Sequence, residues 1–177
     1  MTVVIQTERL QLRRLRDDDT DAAAMLELLN DPGFLRHIGD RGVRTLEQAR
    51  AYIRNSAFAS YAAHGFGMYV IERRDDGAWL GNAGLVRRDG LPGPDLGYAL
   101  LARYAGHGYA REAARAVVAH ARQELGIGAL HAIVAPANAR SVALLEKLEF
   151  QAAGTLCLPG KDEELRLFVN AGSRAIA

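Results

Sequence analysis

The chain has 177 residues, 49% of them hydrophobic and 24% charged, with 22 Lys and Arg against 21 Asp and Glu. That balance excludes a disordered or low-complexity polymer, gives no support to wholesale binding of nucleic acid or an anionic membrane, and suits one domain over residues 1–177. The single cysteine, Cys157, excludes an intramolecular disulfide framework and a Cys-rich zinc site. No apolar run approaches the roughly 20 residues of a membrane span, and Met1–Gln6 lacks the basic and long apolar regions of a signal peptide. A soluble, cytoplasmic protein is expected.

Leu10, Leu12 and Leu15 among arginines predict a short half-buried strand. Asp17-Asp18-Asp19-Thr20 then offers N-caps for a helix carrying Ala22, Met25, Leu26 and Leu29. Three clustered aspartates can also be read as a metal site, but carboxylates at a helix start complement its dipole, and capping is the preferred reading. Asn30-Asp31-Pro32-Gly33 ends the helix, and Phe34–Arg44 is polar and irregular. Thr45 with Gln48 forms a capping box that opens a second helix, running to about Ala63.

Three strands follow: Phe66–Arg73, then Trp79–Val86 after the Asp75-Asp76-Gly77 turn, then Asp95–Leu101 after a Gly/Pro-rich loop. Their order predicts an antiparallel meander. From Tyr109 to Leu125 the apolar period becomes helical, with Gly126 as a natural terminator. Ala129–Ala135 predicts a strand, Asn138 caps a helix through Leu148, and Phe150–Leu158 and Glu164–Val169 are final strands. The fold expected is α/β (α+β), a mixed, mostly antiparallel sheet of about seven strands with about four helices.

Chemistry is concentrated in Arg103-Tyr104-Ala105-Gly106-His107-Gly108-Tyr109-Ala110, between a strand and the long helix. Gly106 and Gly108 permit unusual backbone angles and leave no Cβ against an approaching ligand. The helix start offers unpaired N–H groups and a positive dipole end, which together suit a phosphate or diphosphate. Two glycines before a helix also make an ordinary turn, so this pattern alone leaves both readings open. It is neither a nucleoside-triphosphate loop, which would end Gly-Lys-Ser/Thr, nor a dinucleotide fingerprint, which would open a first βαβ unit.

The wider context carries a resemblance. Thr7-Glu8-Arg9-Leu10-Gln11-Leu12-Arg13, then Arg103-x-x-Gly106-x-Gly108 followed by Tyr109-Ala110-x-Glu112-Ala113, then Asn138-x-x-Ser141 with Glu146-Lys147-Leu148, occur in that order. In these motifs the chain resembles the GNAT acyl-CoA-dependent N-acetyltransferases, and within them the ribosomal-protein N-terminal (Rim-type) branch. The resemblance covers nearly the whole chain. It implies that the strands at Asp95–Leu101 and Ala129–Ala135 run parallel and splay apart, an arrangement expected to need a bulge.

It also implies acetyl-CoA as co-substrate; no His, Asp or Glu cluster has metal-ligand spacing, so no metal is expected. The pantetheine arm would lie along the strand edge ending at Leu100 and Leu101 and beside Asn138. The diphosphate would sit on Arg103, Gly106, His107, Gly108, Tyr109 and Ala110, with Arg111 as a further source of charge. Asn138 is equally a helix N-cap, and both roles can coexist.

A thioester is already activated, so the protein must position a neutral amine, take its proton and assist the departing thiolate. The superfamily's usual acid, a tyrosine, is replaced here by Leu145. The resemblance then makes Ser141 the candidate acid and cofactor contact, against a purely local helix hydrogen bond. Asp95 is the candidate base, against an ordinary loop aspartate. His131 is expected on a strand face away from the cleft, and Cys157 has no histidine partner in view for covalent catalysis. Glu149 stands where the family has glycine, at an expected left-handed position.

The acceptor is expected to be a primary amine, either a peptide N-terminus or a small amine, entering over Phe34–Arg44 past Arg36, His37 and Tyr98. A non-catalytic acyl-CoA-binding module of the same fold is the alternative, and an RNA-associated structural protein fares worst for lack of a basic, aromatic patch. No nucleic-acid or membrane partner is expected. The assembly is left open between a monomer and a homodimer.

Overall fold

The computed structural model describes residues 2–172. The strands are β1 (Val3–Gln6), β2 (Leu10–Arg13), β3 (Met68–Arg73), β4 (Trp79–Val86), β5 (Asp95–Leu100), β6 (Leu130–Val134), β7 (Gln151–Cys157) and β8 (Glu164–Asn170). They form one sheet in the order β1-β2-β3-β4-β5-β6-β8-β7, antiparallel throughout except for the parallel pair β5–β6.

The helices are α1 (Asp19–Leu29), α2 (Pro32–His37), α3 (Leu46–Ile53), α4 (Ala59–His64), α5 (Tyr109–Gln123) and α6 (Ala139–Lys147). A π-type turn at Arg54–Phe58 joins α3 to α4, so the two form one continuous rod. The expected fold class holds, with eight strands rather than seven.

The extra strand is β1, whose four residues are too few to display alternation. Pairing with β2 gives it a place in the sheet. The second departure is α2, inside the stretch expected to be irregular. Pro32 both ends α1 and opens α2, because a proline at a first helical position loses no needed N–H, and Asp31 caps it through Gly33 N–H. Phe34 and Val43 from the same stretch are buried in the core. The third concerns the splay, expected to need a bulge. β5 keeps unbroken register with β4 over all six residues and β6 with β8 over all five, so two intact pairs diverge and no kink in β5 opens the gap.

Capping explains the aspartate run. Asp18 accepts from Asp21 N–H at the start of α1, while Asp17 pairs with Arg54 and Asp19 with Arg50 on the neighbouring rod. Asp21 turns inward to Arg13, which is buried in β2: Arg13 Nη1 and Nη2 donate to its two oxygens at 2.7 and 2.8 Å. Arg13 Nε also donates to Glu72 on β3 at 2.8 Å. Arg13 lies directly opposite Val70, and the Arg13–Asp21 pair fixes α1 over the sheet face that carries Arg13 and Val70.

On the other face lie Tyr69 and Ile71, with Ala83 and Tyr98 beside them across β4 and β5. Arg73 of that set reaches the Tyr109 hydroxyl at 3.3 Å, so α5 starts on this second face. Ala113, Ala114 and Ala121 of α5 are fully buried, and their small side chains bring its axis close to the sheet. Glu149 takes the left-handed conformation expected of it, with φ 65°, and ends α6 where a glycine would be unstrained.

Candidate active site

β5 and β6 touch only at their N-terminal ends. Asp95 is opposite His131, and His131 N–H donates to the Pro94 carbonyl at 3.0 Å. Beyond that point β6 follows β8, leaving the facing edges of β5 and β6 without a strand partner. Backbone donors and acceptors along such an edge need water or a ligand to satisfy them.

At the open end, β5 passes through Leu100 and the buried Leu101 into a short 3-10 turn, Ala102–Tyr104, and then into the glycine loop. Gly106 and Gly108 have φ of 81° and 79°, backbone angles that penalise any side chain. No side chain caps α5, which begins at Gly108, whereas Asp18, Asp31, Thr45 and Asn138 cap α1, α2, α3 and α6. The N–H groups of Tyr109 and Ala110 at the head of this 15-residue helix therefore point into an anion-attracting field.

Three residues expected to serve this loop are engaged in different ways. Arg103 is tied to Glu27 of α1 and lies 5.0 Å over the Tyr104 ring, so its charge is already partnered. The His107 ring stacks on Tyr109, with its Nδ1 2.9 Å from the Ala105 carbonyl. Arg111 is exposed on the first turn of α5. Asp31, between α1 and α2, adds a second tie to the loop entrance by accepting from Ala102 N–H at 2.9 Å.

Across the gap, Asn138 Oδ1 accepts from Ser141 N–H at 3.2 Å, the expected cap. Ser141 Oγ is 2.7 Å from the Tyr98 hydroxyl, so a hydrogen bond spans the splay from β5 to the first turn of α6. Burial pushes the Tyr98 phenol above its ordinary pKa, and the hydrogen bond to Ser141 only partly offsets this. Leu145, in place of the family's tyrosine, is fully buried in the core.

Asp95 is not the exposed loop residue of the simpler expectation: it is buried at the closed end. Its oxygens share one donor, Arg88 Nε, at 3.1 and 3.2 Å. Burial raises its pKa above the usual carboxylate range, against the pull of Arg88 and His131. His131 is its cross-strand neighbour at the closed end, with Nδ1 buried and unbonded. Positions 95 and 98 alternate, so the Asp95 carboxylate and the Tyr98 phenol lie on opposite faces of β5. Arg36 and His37 stand in the last turn of α2, with Leu35 and Ile38 exposed beside them. Cys157 is exposed on β7, with its thiol 3.8 Å from the Asp162 carbonyl.

The family profile described as an acetyltransferase (GNAT) domain matches residues 9–151. The chain belongs to the GNAT acetyltransferases. As a GNAT enzyme it is an acetyl-CoA-dependent acyltransferase. It is 29% identical over 159 residues to the uncharacterized N-acetyltransferase YoaA of Bacillus subtilis strain 168, covering 88% of this chain and 87% of YoaA. The crystal structure of an acetyltransferase from Agrobacterium tumefaciens C58 superposes with TM-score 0.78 at 25% identity, covering 96% and 94% of the two chains. RimL, a ribosomal L7/L12 alpha-N-protein acetyltransferase solved with coenzyme A, shares the fold at TM-score 0.80 and 16% identity, over 96% and 98%.

Sequence reasoning placed Ser141 and Tyr98 in separate roles and missed their contact. It also missed Glu27 as the partner of Arg103, because a bond spanning 76 positions has no local signal.

Proposed function

We propose that this GNAT enzyme transfers the acetyl group of acetyl-CoA to a primary amine by direct attack in a ternary complex. The observation that carries the reading is the unpaired β5 edge running into a glycine-entered, uncapped α5. One edge accepts an amide-bearing arm, and its end accepts a diphosphate, which is the layout of coenzyme A. The coenzyme A bound in RimL, on the same fold, supports the choice.

In this reading the diphosphate rests on the N–H groups from Gly106 to Ala110, and the pantetheine arm follows Leu100 and Leu101 past Asn138. The thioester then lies between β5 and α6, near the Tyr98–Ser141 pair. The amine arrives from the opposite face, over α2, past Arg36 and His37. Its nitrogen attacks the thioester carbon, and the C–S bond breaks as the C–N bond forms. Asp95, whose burial raises its affinity for a proton, takes the ammonium proton through water. Ser141 Oγ donates a hydrogen bond to the departing thiolate, and the Tyr98 phenol, which burial keeps protonated, donates in turn to Ser141 Oγ.

The acceptor is a peptide N-terminus or a small amine such as a polyamine, an amino acid or an antibiotic. The Rim-type motifs favour the peptide. The test is release of free thiol from acetyl-CoA over a panel of N-terminal peptides and small amines, with mass spectrometry of the product. Turnover with a peptide panel and an acetylated α-amine supports the reading. Coenzyme A binding without acetylation of any amine favours the non-catalytic module instead.

A further inference from the structure

One sequence motif that the reaction leaves unused, Thr7-Glu8-Arg9 at the first hairpin, meets the head of α5 in space. Glu112, in the first turn of α5, accepts from Thr7 Oγ1 at 2.6 Å, from Arg9 N–H at 3.0 Å and from Arg9 Nε at 2.7 Å. Arg9 reaches further: its Nη1 donates to the His107 carbonyl at 2.9 Å, and its guanidinium lies 4.6 Å over the Tyr109 ring. The hairpin is itself held from behind. Arg74 N–H donates to the Arg9 carbonyl at 2.9 Å, and its Nη1 donates to the Thr7 and Glu8 carbonyls at 2.7 and 3.1 Å.

Two problems of an anion-binding loop are resolved by these contacts. A carboxylate in a first helical turn suits the helix dipole, but it repels a diphosphate placed at the same end. Arg9 supplies the compensating charge through one charge-assisted bond from Nε to Glu112, while the other prong of its guanidinium fork, Nη1, is the one on the His107 carbonyl. The second problem is the peptide between His107 and Gly108, which glycine leaves free to rotate. A trans peptide sets its C=O and N–H in opposite directions, so fixing the His107 carbonyl on Arg9 fixes the Gly108 N–H on the other side.

We propose that Arg9 is a positioning residue for the cofactor diphosphate, neutralising Glu112 and locking the His107–Gly108 peptide with its N–H turned to the ligand. This rests on the acetyl-CoA reading above. Coenzyme A binding by the unaltered protein tests that reading separately, before any variant is made.

The discriminating experiment compares acetyl-CoA with acetyl-pantetheine, which carries the same thioester arm and no diphosphate. Arg9→Ala is expected to weaken coenzyme A binding by about tenfold or more, while kcat/KM for acetyl-pantetheine changes by less than about twofold. Adding Glu112→Gln to Arg9→Ala is expected to restore part of the lost affinity, because the uncompensated carboxylate is gone while the His107–Gly108 peptide stays unlocked. Arg9→Lys keeps the charge and loses the fork, so it is expected to lose a few-fold on acetyl-CoA alone. It also carries the comparison if Arg9→Ala fails to fold in a thermal melt. Equal losses on both thioesters, or a double variant no better than Arg9→Ala, would overturn the proposal.

Discussion

Asp21 beneath α1 and Asp95 at the closed end of the splayed strands are both buried aspartates facing an arginine, yet their environments push their protons in opposite directions. For Asp21, burial alone would raise the pKa, but Arg13 on both oxygens, the Arg16 N–H at 2.8 Å and the Arg16 charge outweigh it and hold the carboxyl low. For Asp95, burial prevails over a single shared Arg88 donor and the nearby His131, and the pKa rises. A carboxylate with every oxygen occupied is architecture. One that is buried with capacity to spare suits the proton transfer proposed for Asp95, which lies where the strands part.

The same change at both positions sharpens this contrast. Asp21→Asn leaves buried Arg13 with Glu72 as its one remaining carboxylate and is expected to cost about 3 kcal/mol of stability, read from the urea midpoint. Asp95→Asn is expected to leave the fold within about 1 kcal/mol, because Arg88 is partly exposed and can turn to water. Its cost falls on turnover, roughly 10²-fold, with loss of the acid limb of the pH–rate profile. A large stability loss with an unchanged pH profile would make Asp95 a second Asp21. At the open end, Tyr98→Phe is expected to lower kcat by about tenfold with little change in the KM for acetyl-CoA. Ser141→Ala should do at least as much, and the double variant should add little to it, as expected for one relay.

The smallest expected effect is on the pH dependence of stability, and its sign differs between the two aspartates. Asp21, held low in the folded state, contributes stability above the ordinary carboxylate pKa, and this is lost as pH falls through its folded value. Asp95, raised in the folded state, binds its proton more tightly there than when unfolded. Its contribution is present at acid pH and declines as pH rises through the window between the ordinary and the raised value. Urea midpoints of the unaltered protein and Asp95→Asn between about pH 3.5 and 7 should therefore converge at the acid end, apart from a constant offset.

Much of this layout is legible in the sequence because it is written in local terms. The Thr45–Gln48 capping box, the period of Tyr109–Gln123, the glycines at 106 and 108 and the Asn138 cap each depend on residues a few positions apart, and all appear where expected. What escaped is non-local or too short for a pattern. β1 has four residues, and α2 reuses the proline that ends α1. The Arg13–Asp21–Glu72 network hides a charge inside a strand that reads as half-exposed. The Tyr98–Ser141 and Arg9–Glu112 contacts join positions 43 and 103 apart. A hydrogen bond between distant segments has no period, so sequence spacing could nominate its members without pairing them.

Calorimetric titration of coenzyme A into the unaltered protein and into Gly108→Val tests the account most directly. A branched side chain at φ 79° is strained, and its Cβ would approach Arg9 Nη2 at 3.4 Å, at the head of α5. Coenzyme A is expected to bind the unaltered protein and to bind Gly108→Val about 10²-fold more weakly, with a folded sheet by circular dichroism. Coenzyme A bound with equal affinity by both proteins, or by neither, would contradict it.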